Sequence, residues 1–504
     1  MATGQIAAGR PLQRQFVVRL MVACAAVVAI VVALAMLWRE GAGVERTSFE
    51  VGTTPATLYA QPGTEGAPLV VIAHGFAGSR QFMEGFAFTL ARAGYAALSF
   101  DFQGHGRNPT PMSGDVGVVD GTTRLLMAEA QRVIDAGLAR PEAGGGLALL
   151  GHSMATDVLV RAALERDDVD AIVAVSMYSE AVTAERPERL LMITGQWEPH
   201  LRDAALDVIA QVAPTAGESE TVVDGNVARR AVVAPHVEHV GVLYSKTTLN
   251  EARDWLDETF DRQSTGDVAQ RGPWVAFLLA SIMALAWPVA SALPLQVRAT
   301  APTTRLAVAG LLVPATAVPL LLWPLDLSVL PVLVADYLAL HLGVYGLIQL
   351  AVLWALGCRL PSGPLWPGLA LAVYGIGVFG LALDQFGASF VPHAGRLAII
   401  GAVALGAIPF MLGDALITAG GSTHILMRLA ARATVFASFA FAVALDFEGL
   451  FFLVLILPVI LLFFLIFGTM GGWIGRRSGP LAQGLGLGLI LAWAIGVSFP
   501  LFSA

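Results

Sequence analysis

Three short segments of the 504-residue chain combine histidine and glycine with side chains able to do chemistry: His74-Gly75-Phe76-Ala77-Gly78, Asp101-Phe102-Gln103-Gly104-His105-Gly106 and Gly151-His152-Ser153-Met154-Ala155. Ser153 is the candidate nucleophile among them. A serine hydroxyl is a poor nucleophile, so acyl transfer through it needs a tight turn that exposes it and an adjacent base. It also needs preorganised N–H donors for the oxyanion that forms during attack. Gly151 and Ala155 are small enough to let two elements meet around Ser153. Two histidines compete as base, His236 and His239 in Pro235-His236-Val237-Glu238-His239-Val240-Gly241-Val242. Glu198, with Glu180 and Asp203 as alternatives, can supply the carboxylate that an imidazolium requires. Each residue also has a blander role open to it. Ser153 could cap a helix over 153–166, His74 and Gly75 could form a plain turn, and Glu198 could be surface charge. His105 and His152 read best as residues that bind loops together.

Apolar runs of strand length precede all three segments and recur after them, at Leu69–Ala73, Tyr95–Phe100, Leu147–Leu150, Ala171–Val175, Leu190–Thr194 and Ala231–Ala234. Helical patterns fit between them at about 79–93, 121–138, 153–166 and 201–213, with a last helix at about 245–260. Such alternation predicts an α/β fold, a doubly wound and mostly parallel sheet buried on both faces. Ligand sites in such sheets lie beyond the carboxyl ends of the strands. All three segments fall there.

With these motifs in order at successive strand ends, residues 55–262 resemble the α/β-hydrolase superfamily, particularly its serine peptidase and monoacylglycerol-lipase-like branches. The resemblance implies Ser153 as nucleophile, with the backbone N–H groups of Phe76 and Met154 as the oxyanion hole. It implies His239 rather than His236 as base, because small and apolar residues leading into the final helix follow His239. It implies Glu198 as the orienting carboxylate, since Gly195-Gln196-Trp197-Glu198 resembles the family's Gly-x-x-Asp signature with glutamate substituted; Glu180 is the alternative. Ala155 departs from the family's usual glycine. Only about a dozen residues join the run ending near Ser176 to the one beginning near Arg189, so no inserted lid is expected. A bulky or lipid-like acyl substrate is then easier to admit. The chemistry calls for neither cofactor nor metal.

Hydrophobic residues make up 56% of the chain and charged residues 13%, far from the soluble average. Residues 39–272 hold 19 Arg/Lys and 32 Asp/Glu, whereas the rest hold 11 and 6. A charge-rich block, 39–272, is thus framed by apolar sequence, and its acidity argues against nucleic acid as a partner. The run 17–38 can cross a hydrocarbon layer of roughly 30 Å and reads as a transmembrane signal anchor behind a cytoplasmic segment, 1–16. Cys24 sits inside that run with no polar linker after it, so lipidation is not expected. The other cysteine, Cys358, also lies by a span, and disulfides contribute nothing to the block. Residues 273–504 read as an all-α polytopic membrane domain of about eight spans, at 273–293, 306–323, 329–356, 366–383, 397–417, 433–447, 449–470 and 481–502. Arg10, Arg14 and Arg19 place the N-terminus in the cytoplasm and the block 39–272 outside the cytoplasmic membrane. Counting across, Arg298, Arg305, Arg359, Arg428, Arg432, Arg476 and Arg477 fall in cytoplasmic loops and Arg396 outside. The polar stretch Arg262–Asp267 reads as the hinge into the membrane domain.

Ionisable residues within spans raise a functional question by default. Asp336, His341, Asp414 and Asp446 qualify, and Tyr337, His341 and Tyr345 can share one helix face at i,i+4 spacing. Interhelical hydrogen bonding is the plainer reading. Asp384 and His393 are expected in an outer loop. Two classes of function compete: an enzyme that cleaves an ester, thioester or amide, or passes the acyl group to an acceptor, against a transporter or scaffold whose hydrolase-like domain only binds. Ser153, His239 and Glu198 together favour the enzyme, because a scaffold has no chemical need for the set.

Overall fold

The computed structural model describes residues 9–115, 118–264, 266–296, 301–325, 330–332, 334–359 and 361–502. Arg298 and the hinge residue Thr265 lie outside them. Helix α1 (Gly9–Glu40) leads into a nine-stranded sheet built from β1 (Glu45–Val51), β2 (Thr54–Ala60), β3 (Ala67–Ala73), β4 (Ala96–Phe100), β5 (Ala143–His152), β6 (Ala171–Val175), β7 (Arg189–Gly195), β8 (Thr221–Asp224) and β9 (Val227–Ala234). The order is β1-β2-β4-β3-β5-β6-β7-β9-β8. From β4 to β9 the central strands run parallel, while β1, β2 and β8 pair antiparallel at the edges. Helices α2 (Glu84–Arg92), α3 (Arg124–Leu138), α4 (Met154–Leu164), α5 (Pro199–Ala210) and α6 (Lys246–Thr259) supply the crossovers and the final cover.

Every residue of β3, β4 and β6 is buried, which is why these strands read as unbroken apolar runs. Alternate side chains feed opposite layers, as strand geometry requires. Leu69 and Val71 meet Leu126 and Val133 of α3 and Leu159 of α4, whereas Val70 and Ile72 meet Phe86 and Leu90 of α2 and Leu256 of α6. The edge strands lie outside the six expected runs. Most of β1 is exposed and carries charge, so apolar continuity gives no sign of it.

Among the described residues nine helices are long and apolar enough to cross a membrane. They are α1, α7 (Arg271–Ala290), α8 (Thr304–Leu322), α9 (Ala335–Ala355), the pair α10 (Trp366–Ala372) and α11 (Gly380–Phe386) joined through a wider turn, α12 (Leu397–Ile417), α13 (Ile425–Leu445), α14 (Phe447–Ser478) and α15 (Pro480–Ser498). Small residues bring them close. A Cβ on Gly484 or Gly488 of α15 would sit 2.7 Å from the Cα of Leu412 or Ile408 on α12.

Five readings differ from expectation; in the first, α14 runs on to Ser478, past the span expected at 449–470, so Arg476 and Arg477 lie in its last turn rather than in a loop. The span expected at 433–447 begins at Ile425, so Arg428 and Arg432 lie inside α13 rather than in a loop; Arg432 is tolerated there because it pairs with the buried Asp414 of α12. The span expected at 329–356 starts only at Ala335, and Asp336 accepts the Leu330 N–H at 2.8 Å. Helix α15 stops at Ser498, and the tail pairs Leu501 and Phe502 with Val332 and Met112 as isolated bridges. Asp384 is no loop residue: it is buried at the end of α11, where it pairs with Arg107 and accepts the Phe390 and Val391 N–H groups.

Those contacts join the sheet domain to the apolar helices. Arg396, buried at the start of α12, donates to the Gly104 carbonyl at 2.8 Å and to the Phe499 carbonyl at 2.6 Å. The Leu501 N–H reaches the same Gly104 carbonyl at 2.9 Å, and the Met112 N–H reaches Leu501 O at 2.8 Å. Where the chain enters and leaves the sheet domain, Glu40 accepts both the Arg92 guanidinium and the Gln270 N–H. Inside the helical region, His341 bonds Ser438 at 3.0 Å and Tyr337 at 3.2 Å, and Asp446 caps α14 through the Gly449 N–H. Among the expected intramembrane polar residues, these are satisfied hydrogen-bonding positions.

Candidate active site

Strand β5 ends at His152 and α4 begins at Met154, so Ser153 occupies the single-residue turn between them. It sits at φ 53°, ψ −120°, in the positive-φ region that side chains avoid. Its N–H is held by Val175 O at 2.9 Å. The turn requires small neighbours: a Cβ on Gly151 would meet the Ala155 carbonyl at 3.0 Å and Leu159 at 3.1 Å. Ala155 itself is fully buried, so a methyl fits where the related pattern has glycine.

The Ser153 hydroxyl lies 2.8 Å from His239 Nε2, and His239 Nδ1–H donates to Glu198 Oε1 at 2.5 Å. Glu198 Oε2 in turn accepts the Gly195 N–H at 2.6 Å and the Ser176 hydroxyl at 2.8 Å. Three residues from three strand ends thus form one hydrogen-bonded line. Burial raises the Glu198 pKa, but the bonds from His239, Gly195 and Ser176 outweigh it and hold the carboxyl below its ordinary value. The alternatives stand apart from the line. His236 has an exposed side chain and sits at φ 59°, its N–H bonded to Gln196; Glu180 is exposed and accepts only from Tyr178 among the described contacts; Asp203 lies exposed on α5.

The loop after β3 comes against this turn. A Cβ on Gly75 would lie 2.9 Å from Ser153 Cβ and 3.0 Å from His152 Nδ1, so no side chain fits there. This closeness sets the β3 loop against the start of α4, where Met154 opens the helix and lacks an intrahelical acceptor. The other histidines are scaffolding. His152 Nε2–H donates to His239 O at 2.8 Å, and its pKa is lowered to about 3, first by burial and then by the nearby His239. His74 Nδ1–H donates to Gly75 O while Nε2 accepts the Phe102 N–H, and burial lowers its pKa too. Buried His105 packs its ring on His74 and Phe76. Asp101 ties the second segment to the first by accepting from the backbone and side chain of Arg80 and the Arg107 N–H.

Sequence reasoning missed two residues here. Ser176 supports Glu198 and, like Ser153 and His236, has positive φ; its one signal is a hydroxyl placed just after an apolar run. Phe452, on α14, brings its ring to 5.3 Å from Phe76. Nothing in linear spacing connects residues so far apart.

Residues 65–219 match the serine aminopeptidase family S33. The sheet domain has the α/β-hydrolase fold. Solved structures similar to it include a predicted CIB-like hydrolase from Thermoplasma acidophilum, 15% identical over 43% of this chain and 98% of that one, with a TM-score of 0.34. A dienelactone hydrolase from Anabaena variabilis is 19% identical over 44% of this chain and 100% of that one, with a TM-score of 0.31. A lipase in its open form is 12% identical over 44% and 100%, with a TM-score of 0.34. No curated protein matches the chain. Hydrolase-fold and helical region together account for the described chain, and no inserted lid separates β6 from β7. Phe452 of the helical region stands beside the Phe76 loop of the hydrolase-fold domain.

Proposed function

We propose that the protein is a membrane-bound serine hydrolase that cleaves an ester, thioester or amide through an acyl-Ser153 intermediate. The unbroken line from Ser153 Oγ through His239 to Glu198 carries this reading. His239 Nε2 takes the hydroxyl proton as Oγ bonds to the carbonyl carbon, and the Phe76 and Met154 N–H groups receive the oxyanion. As the carbonyl re-forms, the bond to the leaving group breaks and that group takes the proton from His239. A water then repeats the sequence and frees Ser153. Glu198 stays ionised throughout, holding the imidazole in the Nδ1–H tautomer and stabilising the imidazolium. Full-length protein should be labelled by a fluorophosphonate probe, and Ser153→Ala should abolish labelling without loss of the fold; undiminished labelling of that variant would refute the assignment.

The substrate we favour is lipid-like. Phe452 meets the oxyanion loop, and Trp197 and Val240, chain neighbours of Glu198 and His239, are exposed apolar surface at the site. A free polar substrate has no need of this surface. The arginine distribution supports a hydrolase-fold domain on the extracytoplasmic side of the cytoplasmic membrane.

A further inference from the structure

At the far end of the helical region from the sheet domain, residues of α1, α7 and α14 line an open recess of about 260 Å³, among them Arg19, Trp287, Ser291, Trp473, Arg476 and Arg477. We propose that it binds the phosphodiester headgroup of an anionic glycerophospholipid. This rests on the helices crossing a bilayer and is independent of the hydrolase chemistry.

Three guanidinium groups converge on the recess, and no carboxylate among the described residues lines it. Among the described residues none of the three is in an ion pair, whereas Arg432 in the same helical region has Asp414. Arg428, at the start of α13, adds its charge close to Arg476. A general bias of arginine toward one side of a membrane explains how many there are but not their convergence on one recess whose described lining carries no carboxylate. Two of the guanidiniums are also held in place. Arg477 Nε–H donates to Leu293 O at 2.7 Å and Arg476 Nη1–H to Gly421 O at 3.1 Å, leaving their remaining N–H donors for a ligand. The floor is pinned as well, by the Ser478 hydroxyl on Pro294 O and the Gln296 N–H on Arg477 O. A planar fork of donors suits the tetrahedral oxygens of a phosphodiester, and bidentate arginine contacts to phosphate are strong. Trp287 and Trp473 flank the arginines where indoles favour the headgroup boundary, so the ligand chemistry is an anion continued by an amphiphilic stem.

Native mass spectrometry of the full-length protein in detergent tests this with phosphatidylglycerol, phosphatidylcholine of the same chains and inorganic phosphate as separate additions. Phosphatidylglycerol should bind at least about tenfold more tightly than phosphatidylcholine, and the R19Q/R476Q/R477Q protein should lose that preference. Arg305→Gln, which removes an exposed arginine at the start of α8, should keep it. Should the triple variant fail to fold, Arg19→Gln alone, half-exposed on α1, should still reduce the preference severalfold. Equal binding of the two lipids, an unchanged preference in the triple or Arg19 variants, or equal loss with Arg305→Gln would overturn the proposal. So would displacement of the lipid by inorganic phosphate at the same concentration, since that would make the recess a site for the free anion.

Discussion

Ser153 holds a backbone conformation that costs a side-chain-bearing residue on the order of 1–3 kcal/mol, and Ala77, Ser176 and His236 share positive φ near it. Such clustering fits a site whose geometry the surrounding structure enforces. If His239 is the base, His239→Ala should lower kcat on an ester by roughly 10⁴-fold, while His236→Ala should change it by less than about threefold. Glu198→Gln should cost about 10²- to 10⁴-fold, because a wrong tautomer leaves the oxyanion donors acting. Kinetics in which the His236 variant is the impaired one would reverse the assignment. Acid sensitivity also belongs to single residues here. Buried His74, His105 and His152 all have lowered pKa values, that of His152 about 3 against an ordinary 6.5. The unfolded chain therefore takes up protons first, so their stabilising contribution is complete above about pH 6.5 and is lost as pH falls toward the folded values, at up to roughly 1.4 kcal/mol per unit for each histidine. The lowered Glu198 pKa acts in the same direction at lower pH. Thermal unfolding followed from pH 7.5 to 4.5 should show a falling Tm, with a shallower fall for His152→Gln. A Tm independent of pH over that range would contradict this accounting.

Elements act by delivering these residues to one point. Strands β5, β7 and β9 end side by side or one strand apart, which is how Ser153, Glu198 and His239 meet although 86 residues separate the first and last in sequence. Gly75 lets the β3 loop approach the β5–α4 turn more closely than any side chain would permit. Helix α14 brings Phe452 against the Phe76 loop. If Phe452 guides a lipid-like acyl chain, Phe452→Ala should reduce turnover of a long-chain ester in vesicles by about tenfold and that of a short soluble ester by less than about twofold, since one apolar contact is typically worth 10- to 200-fold in discrimination. Equal losses on the two substrates would mean that Phe452 merely supports the Phe76 loop.

For the whole molecule, the decisive relation is how the sheet domain sits on the helices. Both of its ends meet at Glu40, Arg107 pairs with Asp384, and Arg396 with the C-terminal tail grips the Gly104 carbonyl. Polar contacts at several places thus tie the sheet domain to the helices. The side it faces can be measured. Reporter fusions after Gly266 and after Arg359 should give opposite signals, outside and inside respectively; matching signals would defeat the nine-span arrangement.

Much of this was readable before any coordinates. Strands β3, β4 and β6 and most of β5, β7 and β9 are buried, so their apolar runs stand out; the motif at the end of β5 marks Ser153, while Glu198 and the choice of His239 over His236 come from the family resemblance. Apolar length likewise marks the nine candidate spans. What linear sequence could not carry is pairing whose energy comes from partners far along the chain. The edge strand β1 is defined by hydrogen bonds to β2 rather than by its own hydrophobicity. The extension of α13 back to Ile425 depends on Asp414 neutralising Arg432. Ser176 gains its place only once β6 and β7 lie together and bring Glu198 to it. Burial of Arg396 is stabilised by carbonyls of Gly104, Gly496 and Phe499, three positions that only the packed molecule brings to one guanidinium. Periodicity and turn residues are local quantities and survive in sequence, whereas the compensation of a buried charge or an unpaired edge is a property of neighbours that tertiary structure alone assembles.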